Sequence, residues 1–69
     1  MKLSARNVLP GKVVTIKAGP VSTEVTLEIA PGLQIVSSIT TASARSLALE
    51  VGAQAYGVIK ASSVILAVD

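Results

Sequence analysis

Two short segments near the ends of the chain each carry a hydroxyl and a cation at strand spacing. Ser4 and Arg6 are two residues apart, as are Lys60 and Ser62, and such side chains lie on one face of a strand. Arginine and lysine bind anions strongly because their hydrogen-bond donors are charged. If the fold brings the two segments together, they form a site for a dianion. The alternative is that both cations solvate the surface and the serines occupy edge positions.

A second group of hydroxyls lies just before and within the one helix candidate, at Thr40, Thr41 and Ser43. Serine and threonine at a helix start usually cap its free N–H groups. The same N–H groups and the positive end of the helix dipole also suit an oxyanion, so the two roles are compatible. Residues 19–22, Gly-Pro-Val-Ser, are most simply a tight turn.

The residue types that most catalytic and metal sites need are missing. The chain has no Cys and no His, which excludes disulfides, thiolate or imidazole metal sites, and Ser-His-Asp or Cys-His nucleophile systems. Glu24 and Glu28 share the polar face of a predicted strand and Glu50 lies at a turn, so no carboxylate pair supports acid and base catalysis. The chain has no glycine-rich phosphate loop. We therefore predict a protein that is not an enzyme and that uses neither a cofactor nor a protein-ligated metal.

Length and composition predict one small domain, residues 1–69, that depends on association. Hydrophobic residues make up 51% of the 69 residues, but aromatic residues only 1%. A domain of about 60 residues buries only about 60% of its unfolded surface, so it usually needs further stabilisation from disulfides, a structural metal or association with other subunits. Since disulfides and zinc are excluded, we expect an obligate homo-oligomer that buries strand faces between subunits.

The charge pattern argues against nucleic-acid and membrane partners. Six Lys and Arg against four Asp and Glu give a formal charge of +2, scattered along the chain. Proteins that bind single strands combine a basic groove with aromatic stacking, and Tyr56 is the only aromatic residue here. No apolar run approaches the roughly 20 residues of a membrane span, and no signal-type segment follows the N-terminus. We expect a soluble cytoplasmic protein.

Turn residues divide the chain into short extended segments. We predict strands at residues 3–8, 12–17, 21–29, 33–40, 53–60 and 64–68. Alternating apolar and polar residues over 21–29, followed by Ala-Pro-Gly, predict a hairpin with 33–40. One short helix is predicted from Thr41 or Ser43 to Ala48. This order favours an all-β fold, a small closed OB-like Greek-key β-barrel with the helix at one end.

Five motifs, in this order, resemble the molbindins, small Mop-type molybdate-binding proteins that consist of one transport-associated OB domain. The motifs are S-A-R-N at 4–7, G-K-V-V at 11–14, E-V-T-L-E-I at 24–29, I-T-T-A-S at 39–43 and V-I-K-A-S at 58–62. Each is weak alone, but together they cover essentially the whole chain. The resemblance implies a hexamer, a trimer of dimers, that holds molybdate or tungstate at subunit interfaces.

The resemblance also implies a set of hydrogen-bond donors for the oxyanion. From the first and last segments these are Ser4, Arg6, Lys60, Ala61 and Ser62. Hydroxyl or backbone donors of Thr40 and Ser43 are added across the interface, from the neighbouring subunit. A second class of site near the three-fold axis is implied as well, and we place it at the turn around Gly19 and Ser22. Molybdenum is bound only as the oxyanion.

Storage of molybdenum as molybdate is the favoured function, and three others stay open. A nucleic-acid-binding OB module and a molybdopterin carrier are both expected to use aromatic stacking, which this chain almost lacks. The third is a structural oligomer with vestigial sites. The residues alone do not separate storage from delivery, nor molybdate from tungstate or sulfate.

Overall fold

Four antiparallel strands and one short helix build the computed structural model, which describes all 69 residues. The elements are β1 (Asn7–Ala18), β2 (Ser22–Ala30), β3 (Leu33–Thr40), α1 (Thr41–Ser46) and β4 (Gln54–Ile59), followed by a 3₁₀ turn at Ala61–Ser63. The sheet order is β3-β2-β1-β4, and the sheet curls into a half-barrel with β3 and β4 at its edges. The mostly β architecture with one short helix confirms the predicted fold class. None of the helices has the length and apolar character needed to cross a membrane.

Strand β1 continues without a break through Pro10 and Gly11, where the sequence predicted that one strand ends and another begins. Pro10 pairs with Tyr56 of β4, whereas pairing with β2 begins only at Lys12. One side of β1 is therefore free at Pro10, and the missing N–H costs no ladder hydrogen bond. The prediction of separate strands at 3–8 and 12–17 is wrong because Pro10 lies where β1 has a partner on one side only, a place where a strand tolerates proline.

A glycine and a bulge shape β1 as it crosses β2. A Cβ on Gly11 would lie 2.8 Å from the carbonyl oxygen of Glu28, so the two backbones approach too closely for any side chain there. Val13 pairs with Leu27 and Thr15 with Thr26, which leaves Val14 as an extra residue. Such a bulge bends the strand and shifts its alternation by one residue, so that both Val13 and Ile16 contribute to the core.

The β2–β3 hairpin lies where the alternation predicted it. Pairing runs from Ser22 opposite Thr40 to Ala30 opposite Leu33. Strand β2 carries four of the six buried residues: Thr23, Val25 and Leu27 at alternating positions, and Thr26 between them. The apolar core consists of Val13, Val25 and Leu27. Partly buried residues surround this core: Ile16, Ile29, Ile35, Ile39, Leu49 and Ala55.

Helix α1 begins at Thr41, with Thr40 as its N-cap, and is shorter than predicted. The N–H of Ala48 donates to the carbonyl of Arg45, and the N–H of Leu49 to that of Ala44. This pair of bonds is a Schellman motif, which requires a left-handed residue after the helix. Ala48 takes that conformation, with φ of 52°, and so the helix ends at Ser46 instead of continuing to Ala48.

The C-terminal segment, residues 64–69, has no strand partner within the chain. The predicted strand at 64–68 is therefore wrong for the single chain, and the half-barrel stays open between β3 and β4. Ile65, Leu66 and Val68 are 93%, 87% and 97% exposed. An apolar groove of about 250 Å³ lies along the open seam and is lined by residues of both edge strands. Only six of 69 residues are buried, so one chain leaves much of its apolar surface uncovered.

Candidate oxyanion-binding site

The segment before β1 and the segment after β4 meet in one cleft, which is the condition that the sequence set for a dianion site. Six residues line this cleft of about 380 Å³, which we call the oxyanion cleft: Ser4, Ala5, Arg6, Lys60, Ala61 and Ser62. Three come from the segment that leads into β1 and three from the segment that leaves β4. The structure thus brings together all five residues predicted to bind from these segments, together with Ala5.

The strand register explains why these residues converge. The β1–β4 ladder pairs Pro10 with Tyr56, Val8 with Val58 and, last, Asn7 with Ile59. Continuing that register past the ladder matches residue 6 with 60, 5 with 61 and 4 with 62, which are the six positions that line the cleft.

The ladder ends where the register would place two cations opposite each other. Like charges directly across a sheet are destabilising, and Arg6 and Lys60 hold those positions. Beyond Ile59 the second segment leaves the sheet and forms the 3₁₀ turn at Ala61–Ser63. The cleft therefore opens at the end of the ladder, with its two cations on opposite walls.

The cleft offers donors and positive charge, and no carboxylate. Its side-chain polar groups are a guanidinium, an ammonium and two hydroxyls, and all four of these residues are exposed in the single chain. The first N–H groups of a helical turn have no partner inside that turn, which adds backbone donors at Ala61 and Ser62. No group of three or more His, Cys, Asp or Glu in the chain could hold a metal ion. This donor set matches a tetrahedral dianion whose oxygens accept hydrogen bonds.

Thr40 and Ser43 lie at the start of α1 and do not line the cleft of their own chain. The Ser43 N–H donates to Thr40 Oγ1 over 3.0 Å, and the Thr40 hydroxyl donates to Ser43 Oγ over 2.7 Å. The capping role considered from the sequence is thus present. Because the Thr40 proton is used, the Ser43 hydroxyl keeps its own proton for an outside acceptor. Donation from a neighbouring subunit stays a prediction.

Gly19 and Ser22 form the tight turn between β1 and β2. The Gly19 N–H donates to the Ser22 carbonyl over 3.0 Å, and the Gly19 carbonyl accepts from Thr41 Oγ1 over 2.6 Å. Thr41 Oγ1 also lies 2.8 Å from Thr23 Oγ1. Since the Thr41 proton goes to Gly19, Thr23 is the donor in that second bond. A second oxyanion site at this turn stays a prediction.

Sequence reasoning assigned no positioning role to Thr23, Thr41 or Asn7, although all three hold these elements in place. Thr23 and Thr41 are buried and tie the turn to α1; the available signal was a threonine at an inward position of β2. Asn7 Nδ2 donates to the Ile59 carbonyl over 3.1 Å, between the residues that adjoin Arg6 and Lys60 in sequence. The feature of the sequence that could have identified Asn7 is its place in the S-A-R-N motif, in which only the serine and the arginine were predicted to bind the oxyanion.

Comparison with known proteins adds a family match and several close relatives. Residues 3–66 match the family model described as the TOBE domain. A probable molybdenum-pterin-binding protein of Haemophilus influenzae is 46% identical over 69 residues, covering 100% of both chains. MopII from Clostridium pasteurianum superimposes with a TM-score of 0.90 at 43% identity, over 97% of this chain and 100% of that one. The molybdate-bound form of ModG, described as a cytoplasmic molybdate-binding protein, gives a TM-score of 0.89 at 49% identity, over 94% of this chain and 46% of that one.

Proposed function

The chain belongs to the TOBE domain family, as a Mop-type member, and on that premise we propose that it binds molybdate or tungstate without catalysing a reaction. The observation that carries this proposal is the oxyanion cleft, where two segments distant in sequence bring two cations and two hydroxyls together without a carboxylate. Relatives with molybdate or molybdenum-pterin in their names support the choice of ligand.

The chemistry of the cleft suits binding and release. Molybdate at neutral pH is a tetrahedral dianion, and its oxygens accept hydrogen bonds from Arg6, Lys60 and the serine hydroxyls. The cleft has no His, Cys or carboxylate to act as a nucleophile or as a base for its serine hydroxyls. The bound anion therefore leaves unchanged, as storage or buffering of molybdenum requires.

We further propose that the working form is the predicted hexamer, a trimer of dimers. Three large hydrophobic residues are buried in the single chain, whereas fourteen are exposed. The apolar C-terminal segment, residues 64–68, and the open groove between β3 and β4 are complementary in character, so pairing between copies would cover both. Large exposed apolar patches of this kind are typical of protein–protein interfaces. In the hexamer, a neighbour's Thr40 and Ser43 would reach the cleft, and the turn at Gly19 and Ser22 would face the second class of site.

Burial of the cleft between subunits would strengthen its charge contacts. Attraction between a cation and a dianion grows as the effective dielectric constant falls, but the cations also lose their hydration. A covered cleft is therefore stable only when the anion fills it. The proposed location is the cytoplasm, as described for ModG.

A molybdopterin carrier is the second candidate, because relatives such as the Haemophilus influenzae protein are named for a molybdenum-pterin. Tyr56, the only aromatic residue, is 55% exposed on β4 and lies outside the oxyanion cleft. A pterin ring would therefore have no stacking partner beside the cations. Molybdate titration in the presence of a soluble pterin separates the two functions, since competition at equal ligand concentrations would favour the carrier.

The test of molybdate binding is ligand-dependent thermal stability. A ligand that binds only the native state stabilises it by about 2.7 kcal/mol at a concentration 100 times its Kd. We expect sodium molybdate and sodium tungstate to raise the melting temperature, and sodium chloride at equal ionic strength to leave it unchanged. An unchanged melting temperature in millimolar molybdate would refute the proposed function.

A further inference from the structure

One side chain joins the two walls of the oxyanion cleft, and it is not among the residues expected to bind the anion. Asn7 follows Arg6 in sequence, and its Nδ2 donates to the carbonyl of Ile59, the residue before Lys60, over 3.1 Å. None of the other side-chain hydrogen bonds links β1 with β4. The bond lies at the last pair of the ladder. It therefore ties the segments together at the point where they diverge.

A tie at this point opposes the repulsion between the two cations. Arg6 and Lys60 occupy opposite walls, and no carboxylate lies among the cleft residues to offset their charges. Without a ligand, Arg6 and Lys60 repel each other, and the backbone pairing that would hold their segments together ends at Asn7 and Ile59. A wider cleft would make one anion contact one wall only. The partly buried Asn7–Ile59 bond resists that separation.

We propose that Asn7 is a positioning residue for oxyanion binding: its side-chain amide holds the Arg6 and Lys60 segments close enough for both to donate to one dianion. This inference rests on the proposed function of the cleft. Asn7 itself does not line the cleft, so its effect on affinity acts through the two segments that it joins. A partly buried tie that is already formed also lowers the cost of ordering the cleft when the anion binds.

The direct test replaces Asn7 by leucine, which is similar in size and lacks the amide. Gln54→Leu is the matched control, because Gln54 carries an amide at the opposite end of the same ladder, opposite Lys12, and forms no side-chain hydrogen bond. Sodium molybdate is titrated into each protein by calorimetry, at a temperature where circular dichroism shows both folded. We expect Asn7→Leu to weaken binding about threefold to tenfold, the worth of one net hydrogen bond, and Gln54→Leu to bind like the wild type.

A covalent tie separates positioning from a general loss of stability. Val8 and Val58 are directly opposite and partly exposed, and the chain has no cysteine of its own. Opposite residues of an antiparallel pair have Cα atoms about 4.5–5.5 Å apart, which suits a disulfide. Val8→Cys with Val58→Cys is therefore added to both wild type and Asn7→Leu, and mass spectrometry confirms a bond within one chain.

Oxidation is expected to restore the affinity of the Asn7→Leu protein to within about twofold of its Asn7-containing counterpart, and reduction to abolish that rescue. The inference is overturned if Asn7→Leu binds molybdate like Gln54→Leu, or if oxidation leaves its weakened affinity unchanged. Either result, with a wild type that binds molybdate, leaves the proposed function intact. A wild type that does not bind overturns both.

Discussion

Replacing Arg6 with alanine removes one of the two cations of the oxyanion cleft and leaves the fold in place. Arg6 precedes β1, is exposed, and takes part in no side-chain hydrogen bond of the single chain. The substitution therefore breaks no contact that stabilises the half-barrel. Its effect should appear in ligand affinity and hardly at all in the melting temperature of the ligand-free protein.

The size of the loss follows from the kind of hydrogen bond removed. A hydrogen bond to a charged group contributes about 1.5–3 kcal/mol, and each 1.4 kcal/mol changes an equilibrium constant about tenfold. Arg6→Ala should therefore raise the Kd for molybdate by about tenfold to 150-fold. The lower limit applies to a cleft that stays open to water, as in the single chain. The upper limit applies if a neighbouring subunit covers the cleft and lowers its effective dielectric constant.

The assay is calorimetric titration with sodium molybdate at fixed ionic strength. Arg45→Ala is the matched control, because Arg45 lies in the last turn of α1, away from the cleft, and its loss changes net charge equally. Arg6→Lys keeps the charge but loses the two-pronged donor geometry, and should fall between wild type and Arg6→Ala. If Arg6→Ala binds molybdate as Arg45→Ala does, the cleft is not the main binding site.

Three further predictions concern assembly and stability. The double variant Ile65→Asp, Leu66→Asp should have a lower oligomer mass in sedimentation, since these exposed side chains are expected at subunit contacts. The control Leu33→Asp, at the hairpin tip, should keep the wild-type mass, and an unchanged mass of the double variant would show that residues 64–68 are not part of the interface. Gly11→Ala should lower the unfolding free energy by about 1–3 kcal/mol because its Cβ would meet the Glu28 backbone. Gly57→Ala should lower it less, because its Cβ would meet the movable end of the Ile35 side chain, and equal chemical denaturation midpoints for the two variants would contradict this order. Thr41→Val should lower the unfolding free energy by about 1–3 kcal/mol because it leaves the Gly19 carbonyl and the Thr23 hydroxyl without their partner. Adding Thr23→Val should recover part of that loss in thermal melts, whereas additive losses would argue that the Thr23 and Thr41 hydroxyls are not hydrogen-bonded to each other.

Local patterns predicted the elements whose neighbours are close in sequence. The alternation of β2 and the turn after it located the β2–β3 hairpin. The run of hydroxyl residues predicted that α1 begins at Thr41 or Ser43, and it begins at Thr41. Spacing of hydroxyl and cation also marked Ser4, Arg6, Lys60 and Ser62 as candidates for one site, whereas Ala61 was added by the family resemblance. Their convergence depends on the β1–β4 ladder, which joins residues about fifty positions apart, and spacing alone cannot specify that pairing.

The features that sequence reasoning missed depend on which side of a strand has a neighbour. Pro10 is compatible with a continuous β1 only because β2 pairing starts two residues later. The bulge at Val14 depends on the register of β2, and no residue type at that position marks it. Residues 64–68 have the composition of a strand, but their partner does not exist within one chain. In each case a tertiary neighbour decides the local structure, as strand propensity depends on context.

Native mass spectrometry of the purified protein, with and without sodium molybdate, tests most directly that this chain is a molybdate-binding oligomer whose site is the oxyanion cleft. The same spectra are recorded for a variant that combines Arg6→Ala and Lys60→Ala. We predict a wild-type hexamer that gains several molybdate masses, and a variant hexamer that gains far fewer at the same ligand concentration. A wild-type species of any size whose mass is indifferent to molybdate, or a variant that takes up as much as the wild type, would contradict this assignment.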